Sequence, residues 1–251
     1  VGSEMCIRDS TIGSSGRICY IGSEPIYDKR LLNCRSPYQG LYTILQTTDN
    51  AGISLRWFRD VFGDAVQQKA EAAGLSVYDY MNTLAEKVPA GCNGLVYLPY
   101  LAGEKSPIWD SDARGVFFGM SLSTDYGAFV RAIMEGVALS MRDCMEIMPA
   151  AKKSISPIPL GGGAANSRVW CQIFADVLNR PIVRLKSGET ETLGDFIIAA
   201  ESVGLTDVTR DFGKKLAAES EVLYPDSAAA SVYDKAYQKY KAVYQNTKTL
   251  F

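Results

Sequence analysis

The chain contains no histidine. That absence removes the Ser-His-Asp triad, the histidine general base and the histidine zinc site from the chemistry these residues can perform. Nowhere does the chain carry G-x-x-x-x-G-K-[ST], which disfavours a P-loop ATPase, and the dinucleotide pattern G-x-G-x-x-G fails because Asn166 stands where its last glycine belongs. No apolar run approaches the roughly 20 residues that span a bilayer. A net charge of −2 leaves no electrostatic footprint for nucleic acid or an anionic membrane, so neither is an expected partner. The six cysteines (Cys6, Cys19, Cys34, Cys92, Cys144, Cys171) form no C-x-x-C pair. They read as buried or incidental thiols in a reducing cytosol, so the expected location is cytoplasmic. Internal repeats and low-complexity segments are absent too.

What remains is a chain of 251 residues, 47% hydrophobic, long enough to bury one large core or two small ones. Its most informative segment runs Pro157-Ile158-Pro159-Leu160-Gly161-Gly162-Gly163-Ala164-Ala165-Asn166-Ser167. An apolar strand ends in glycines, and Arg168 to Asn179 follows as an amphipathic helix with Val169, Trp170, Ile173, Phe174, Val177 and Leu178 on one face. Such a turn aims free backbone N–H groups at one point, where a flat or anionic ligand such as a nucleotide can approach. The plain alternative is a tight strand-to-helix connection.

Val1 to Ser10 (VGSEMCIRDS) has no periodicity and no signal-peptide pattern. It resembles translated sequencing-adapter read-through, the alternative being an ordinary ragged N-terminus. On the first reading, residues 1–10 are left out of fold reasoning, the gene continues upstream of Thr11, and residues 11–251 are a C-terminal domain.

Thr11-Ile12-Gly13-Ser14-Ser15-Gly16 is a small-residue turn, either a phosphate wrap of N–H and O–H donors or a plain hairpin turn. Strand-like runs at Arg17–Ile21, Leu31–Arg35 and Tyr42–Thr47 make an antiparallel meander. A helix is predicted from Ile53 to about Phe62, with Ile53, Leu55, Trp57, Phe58 and Val61 inward. Ser76 caps a second, Val77 to Lys87, with Tyr78, Met81 and Leu84 apolar. Leu95–Leu101 and Gly115–Leu122 read as strands, the first buried on both faces. A long helix covers Asp125 to Ile147, and Gly136 in its seam marks a close backbone approach. Pro181–Leu185 is a strand, and Glu191–Val203 a helix with Leu193, Phe196, Ile197 and Ala200 inward. A helical tail starts at about Asp226, its tyrosines Tyr233, Tyr237, Tyr240 and Tyr244 forming a packing stripe. The order implies an α/β domain with a mixed sheet flanked by helices. Three loop features stay open: Glu104 and Lys105 either reach a cleft or form a solvated pair, and Trp109 either stacks on a ligand or anchors its loop.

Gly115-Val116-Phe117-Phe118-Gly119-Met120, eight further residues, and Phe129-Val130-Arg131-Ala132-Ile133-Met134-Glu135 resemble the second signature of the FGGY carbohydrate kinases. Ala128 is one departure, where that signature expects a polar residue. Tyr97 to Trp109 is similar to the loop before the signature, Gly162 to Asp176 to the adenosine motif, Gly52 to Asp60 to the first helix of the C-terminal domain, and Thr11 to Gly16 to the second phosphate-binding loop. The resemblance covers nearly all of Thr11 to Phe251. Within the family, Ala51 to Asp60 and Val137 to Asp143 look most like xylulokinases.

The resemblance implies an actin-like ATPase (ribonuclease H-like) fold, the C-terminal half of a two-domain sugar kinase. It implies transfer of the ATP γ-phosphoryl group to a sugar hydroxyl, D-xylulose to xylulose 5-phosphate being the leading reaction. Gluconate, ribulose, fuculose or glycerol is the alternative substrate, and a stand-alone ATP-binding module without chemistry the alternative class. Gly13, Ser14, Ser15 and Gly16 are expected at the ATP phosphates, Ser14 replacing a common threonine. Gly52 and Arg56 are expected to flank the nucleotide, Gly52 by permitting close approach. Gly162, Gly163 and Ala164 are expected along adenine and ribose, with Ser167 nearby. Magnesium is expected to be held mainly through ATP and the missing N-terminal domain, so no metal ligand is assigned here. The family's catalytic aspartate falls upstream of Thr11, so no catalytic residue is assigned, Asp9 included, and the chain alone is expected to be inactive. Expected partners are ATP, a sugar, the missing N-terminal domain and, through the exposed cleft face, a second copy. Glu135, which ends the signature, reads as a packing or buried hydrogen-bonding residue. Asp195 stands where the family has a small residue, and its carboxylate needs a partner if it faces a neighbouring backbone.

Overall fold

In the computed structural model, which describes residues 7–148, 156–185 and 190–251, the chain opens with four strands. They are β1 (Ile7–Ile12), β2 (Gly16–Gly22), β3 (Leu32–Arg35) and β4 (Tyr42–Thr48). β1 pairs antiparallel with β2, β2 with β4, and β4 with β3, which is the expected meander. Three small helices follow: α1 (Gly52–Phe62), α2 (Asp64–Ala72) and α3 (Val77–Glu86). β5 (Val96–Leu98) and β6 (Val116–Phe118) form a separate two-stranded sheet. Then come α4 (Tyr126–Glu146), β7 (Ile158–Gly161), α5 (Arg168–Leu178) and β8 (Ile182–Arg184). The chain closes with α6 (Thr190–Ser202), α7 (Thr206–Glu219), β9 (Glu221–Leu223) and α8 (Ser227–Thr247). β7 lies parallel to β1, β8 parallel to β7, and β9 antiparallel to β8, so the large sheet runs β3-β4-β2-β1-β7-β8-β9 and is mixed.

One face of β1, β2 and β4 (Ile12, Ile18, Ile44) is wholly buried. A Cβ placed on Gly16 would meet Thr48 and Ile12 at 2.8 and 3.0 Å and the α4 residue Met141 at 3.1 Å, so α4 covers that face. α4 also packs beside α5 and α3. Its N-terminus is capped by Asp125, whose carboxylate accepts from the Ala128 amide at 2.8 Å. Gly136 does what its place in the seam predicted: a Cβ there would lie 2.4 Å from the Tyr97 carbonyl oxygen, so α4 touches the β5 main chain directly. The tyrosines of α8 pack as a stripe: Tyr240 shares a hydrogen bond with Tyr100, Tyr237 donates to Asp143, and Tyr244 donates to Asp110.

Several expectations change. The apolar runs at Leu95–Leu101 and Gly115–Leu122 shorten to three-residue strands, because each finds only the other as a partner. Val61 is 55% exposed and Phe196 47% exposed; Ser54 takes Val61's place in the buried face of α1, donating to the Asn50 carbonyl. The side chain of Leu193 lies outside the described residues. Cys34 is exposed while Cys19, Cys92, Cys144 and Cys171 are buried, and all five are free thiols. Asp195 is exposed, so solvent supplies what a buried carboxylate would have needed.

The backbone of Ile7 to Ser10 pairs within the sheet: Ile7 stands opposite Tyr20, and Ser10 opposite Ile18 and Leu160. The end of the foreign-looking prefix therefore occupies a strand position, while Val1 to Cys6 lie outside the described residues. Ladder bonds use main-chain groups that every residue except proline carries, so this pairing is no test of origin. No helix among the described residues is long and apolar enough to cross a membrane.

Candidate functional site

The three stretches expected at the nucleotide line one cavity of about 380 Å³. The β1–β2 turn contributes Gly13 and Ser14, the start of α1 contributes Gly52 and Arg56, and the β7–α5 turn contributes Gly163, Ala164 and Ser167. The expected site residues Ser15, Gly16 and Gly162 stand elsewhere. Ser15 lines a neighbouring cavity that shares Gly13 and Ser14 with the first. Gly16 is buried under α4, where its missing side chain serves packing. Gly162 adopts φ +79°, and a Cβ on it would lie 2.7 Å from the Ile12 carbonyl oxygen. It lets the β7–α5 turn lie against β1, and Gly163 then meets the open space.

The β1–β2 turn is held by the α1 N-terminus. The Gly52 amide donates to the Gly13 carbonyl at 2.9 Å, and the Ala51 and Ile53 amides donate to the Ser14 carbonyl at 3.1 Å. These bonds satisfy amides that a helix N-terminus otherwise leaves orphaned, and Ala51 supplies no side-chain cap. A Cβ on Gly52 would lie 2.3 Å from the Gly13 oxygen. The close approach expected at Gly52 is therefore first an approach of one main chain to another, and the glycine sets the position of the turn.

A further part of the lining is built on α5. The Ser167 hydroxyl accepts from the Trp170 amide at 3.2 Å as the helix cap and donates to Asn82 Oδ1 of α3 at 2.8 Å. Trp170 donates its indole N–H to the Met134 carbonyl at 3.0 Å, which locks α5 to α4. α3 adds Tyr78, Asp79 and Asn82 to the lining. Tyr78, read as an apolar position, is exposed: Arg59 donates to its hydroxyl at 2.9 Å and sits over its ring at 5.0 Å. Arg56 is exposed and makes no ion pair among the described residues. The cavity is lined by apolar and aromatic side chains (Ile53, Tyr78, Trp170), by polar ones (Asp79, Asn82, Ser167) and by small-residue turns. That arrangement suits a flat heterocycle joined to an anionic tail.

Among the described residues no three or more His, Cys, Asp or Glu side chains are placed to hold a metal ion. Trp109 is half exposed with φ +51°, and it lines neither cavity. Glu104 is no solvated pair. It is 4% exposed, and its carboxylate accepts from the Thr48 hydroxyl and from the Asp49 and Lys105 amides. Asn50 ties the same loops by donating to the Gly103 carbonyl at 2.7 Å and accepting from the Ala102 amide at 3.2 Å. Lys105 remains outside, paired with Asp49 at 3.3 Å. The loop thus braces Thr48 to Asn50, the residues that lead into Gly52.

Burial raises the Glu104 carboxyl from the ordinary 4.5 to about 7. Between those values the folded chain holds a proton that the unfolded chain releases. Stability therefore falls as pH rises through this window, by at most roughly 3 kcal/mol from this group, and falls no further above it. Glu104→Gln carries the neutral form at every pH, and its amide can donate to the Thr48 hydroxyl while its oxygen still accepts the two backbone bonds. Urea unfolding at pH 5, 6, 7 and 8 should show a flatter profile for E104Q than for the parent chain. Equal slopes would mean that Glu104 does not titrate in this range.

Residues 10–203 match the model of the FGGY family of carbohydrate kinases, C-terminal domain. The xylulose kinase of Staphylococcus epidermidis is 31% identical over 242 residues, 96% of this chain and 47% of that protein. The gluconokinase of Bacillus licheniformis is 35% identical over 205 residues, 78% of this chain and 39% of that protein. The crystal structure of xylulose kinase from Rhodospirillum rubrum superposes with a TM-score of 0.78 at 30% identity, covering 100% of this chain and 49% of that one. The chain spans about half the length of the proteins it matches. The family model over residues 10–203 and the relatives covering most of the chain show that it belongs to the FGGY family of carbohydrate kinases.

Proposed function

We propose that this chain is the nucleotide-holding half of an ATP-dependent sugar kinase, and that D-xylulose is the sugar phosphorylated, giving xylulose 5-phosphate. The observation that carries the nucleotide reading is the convergence of Gly13–Ser14, Gly52–Arg56 and Gly163–Ser167 on one cavity. Adenine and ribose lie along Gly163, Ala164 and Ser167, with Tyr78 and Trp170 as apolar walls. The phosphates run toward Gly13, Ser14 and Ser15, and Arg56 meets them from the side. Magnesium is held mainly through the ATP phosphates and the N-terminal domain. The sugar preference rests on similarity to a xylulose kinase across 96% of the chain. Gluconate is the second reading, favoured by the 35% identity to a gluconokinase over a shorter stretch.

Phosphoryl transfer needs positioning, charge stabilisation and a carboxylate to take the hydroxyl proton. In this proposal the carboxylate and the sugar pocket come from an N-terminal partner domain. Isothermal titration should then show ATP and ADP binding to this chain. Coupled assay with D-xylulose or gluconate should show no sugar-dependent ADP release. No binding of either nucleotide would overturn the reading of the cavity; sugar-dependent ADP release would overturn the division of labour.

A further inference from the structure

The α3 part of the larger cavity carries a polar group that the fold does not use. Asn82 lines the cavity and is half-buried. Its Oδ1 accepts from the Ser167 hydroxyl at 2.8 Å. Ser167 itself accepts from the Trp170 amide at 3.2 Å, which leaves its one hydroxyl hydrogen for Asn82. That bond sets the orientation of the amide: the oxygen is taken and the NH2 group is left over. The NH2 group has no partner among the described residues, and it is not among their buried unpaired atoms, so it reaches open space. Tyr78 stands one turn earlier on the same face of α3 and lines the same cavity, with Arg59 over its ring. An aromatic ring and an unused donor thus belong to one lining.

Gly163 adjoins the end of β1: a Cβ on it would lie 3.8 Å from the Ile12 carbonyl oxygen, next to the Gly13 turn. Asn82 is reached through Ser167, at the other end of the β7–α5 turn, where α5 begins. We propose that Asn82 selects the nucleobase, its NH2 group donating to N1 of adenine. The inference rests on the nucleotide reading above. With the phosphates at Gly13 and Ser14 and the base beyond Gly163, the edge farthest from the ribose meets Asn82. That edge carries N1, a hydrogen-bond acceptor in adenine. In guanine and hypoxanthine the same position is an N–H, and two donors would face each other there. N3 and N7 flank the ribose and accept in all three purines, so a donor placed at either would not tell them apart. A donor left facing a donor is the ground on which hydrogen-bonding sites reject ligands of nearly the same shape.

The test is a purine series titrated calorimetrically against the parent chain and Asn82→Asp. The parent should bind ATP at least about tenfold more tightly than ITP, which keeps the sugar and the phosphates and carries N1–H. 1-Deaza-ATP, which keeps the 6-amino group and lacks only the N1 acceptor, should fall by about the same factor, while 7-deaza-ATP should bind like ATP. In N82D one carboxylate oxygen still accepts from Ser167, and the other becomes an acceptor toward the base. The ATP-to-ITP ratio should then invert, whatever the added charge does to both triphosphates. A merely structural role for Asn82 would lower both affinities and leave the ratio alone, and that result would overturn the assignment. So would equal binding of ATP and ITP by the parent, a measurement that needs no variant to fold. Loss with 7-deaza-ATP in place of 1-deaza-ATP would also overturn it, by moving the contact to N7. A parent that binds none of these nucleotides would overturn the nucleotide reading itself, a result distinct from binding without preference.

Discussion

Gly52→Ala is expected to cost the chain at least about tenfold in adenine-nucleotide affinity, along with roughly 2–4 kcal/mol of stability. The added Cβ would lie 2.3 Å from the Gly13 carbonyl oxygen. Both atoms belong to backbone-fixed positions, so no rotamer relieves the overlap. The α1 start and the β1–β2 turn must separate by about 1 Å to restore ordinary contact. Three hydrogen bonds lie on that seam, from the Ala51, Gly52 and Ile53 amides to the Ser14 and Gly13 carbonyls. Each contributes about 0.5–1.5 kcal/mol net, which sets the stability estimate. The same displacement moves Gly13 and Ser14, the common wall of the two cavities. Gly213→Ala is the control. Gly213 sits exposed within α7, and nothing lies within 4 Å of its virtual Cβ. Relieving a helix-interior glycine should stabilise by up to about 1 kcal/mol and leave nucleotide affinity alone. Titration and urea unfolding of the two variants check the contrast. Parent-like affinity in G52A would mean that the turn's position is not what the nucleotide reads.

That pair of glycines shows where sequence was a good guide and where it was not. Gly52 reads from the sequence as a place where a nucleotide comes close, and the structure shows another main chain there. What approaches it, the Gly13 carbonyl, belongs to a turn about forty residues away and became visible only in three dimensions. Helices with local punctuation were legible for the same reason that Gly213 is not special: caps and periodicity act within a few residues. Ser76 accepts from the Asp79 amide and Ser167 from the Trp170 amide, and both helices start where those residues put them. α2 escaped notice because only Val66 and Ala70 of its nine residues are buried, too few to write a seam. α7 is mostly exposed, and three-residue β9 is shorter than any pattern that alternation can reveal. Strand length at β5 and β6 is set by the partner available, and an apolar run does not record that. The glycine turns of the cavity carried a signal of their own. The α3 wall did not: Asp79 and Asn82 carry no sequence signal for a ligand site, and their place becomes visible only when Asn82 is seen receiving the Ser167 hydroxyl.

Glu135 lines neither cavity, and the largest stability effect should come from its surroundings. It is buried together with Arg131, one helical turn earlier on α4, and their pair is 2.8 Å long. Arg131 also donates to the Tyr233 hydroxyl at 3.0 Å and to the Ala85 carbonyl at 3.3 Å. Glu135 further accepts from Tyr233 at 2.9 Å, from the Gly91 amide at 3.1 Å and from the Cys92 thiol at 3.4 Å. The cluster thereby joins α4 to the end of α3, to the Gly91–Cys92 turn and to α8. Burial holds the Glu135 carboxyl above its ordinary range even though Arg131, Tyr233 and Gly91 all favour its charged form. Desolvation is thus the larger influence, and only the partners keep the charge tolerable. Arg131→Met removes the one cation among them and should destabilise the chain by about 3–5 kcal/mol at neutral pH, since a buried carboxylate is left without its counter-charge. Glu135→Gln strands the guanidinium in the same way and should fall in a similar range. The double variant removes both charges and should lose clearly less than the two single losses added together. Urea unfolding of the four proteins at pH 7 measures this directly. The R131M loss should also shrink at lower pH, because a raised carboxyl pKa means that the stranded acid takes up its proton early and the penalty of an unpaired charge disappears with it. Strict additivity in the double variant, or a loss in R131M that ignores pH, would mean that the side chains serve as space-filling and that their charges matter little to the fold.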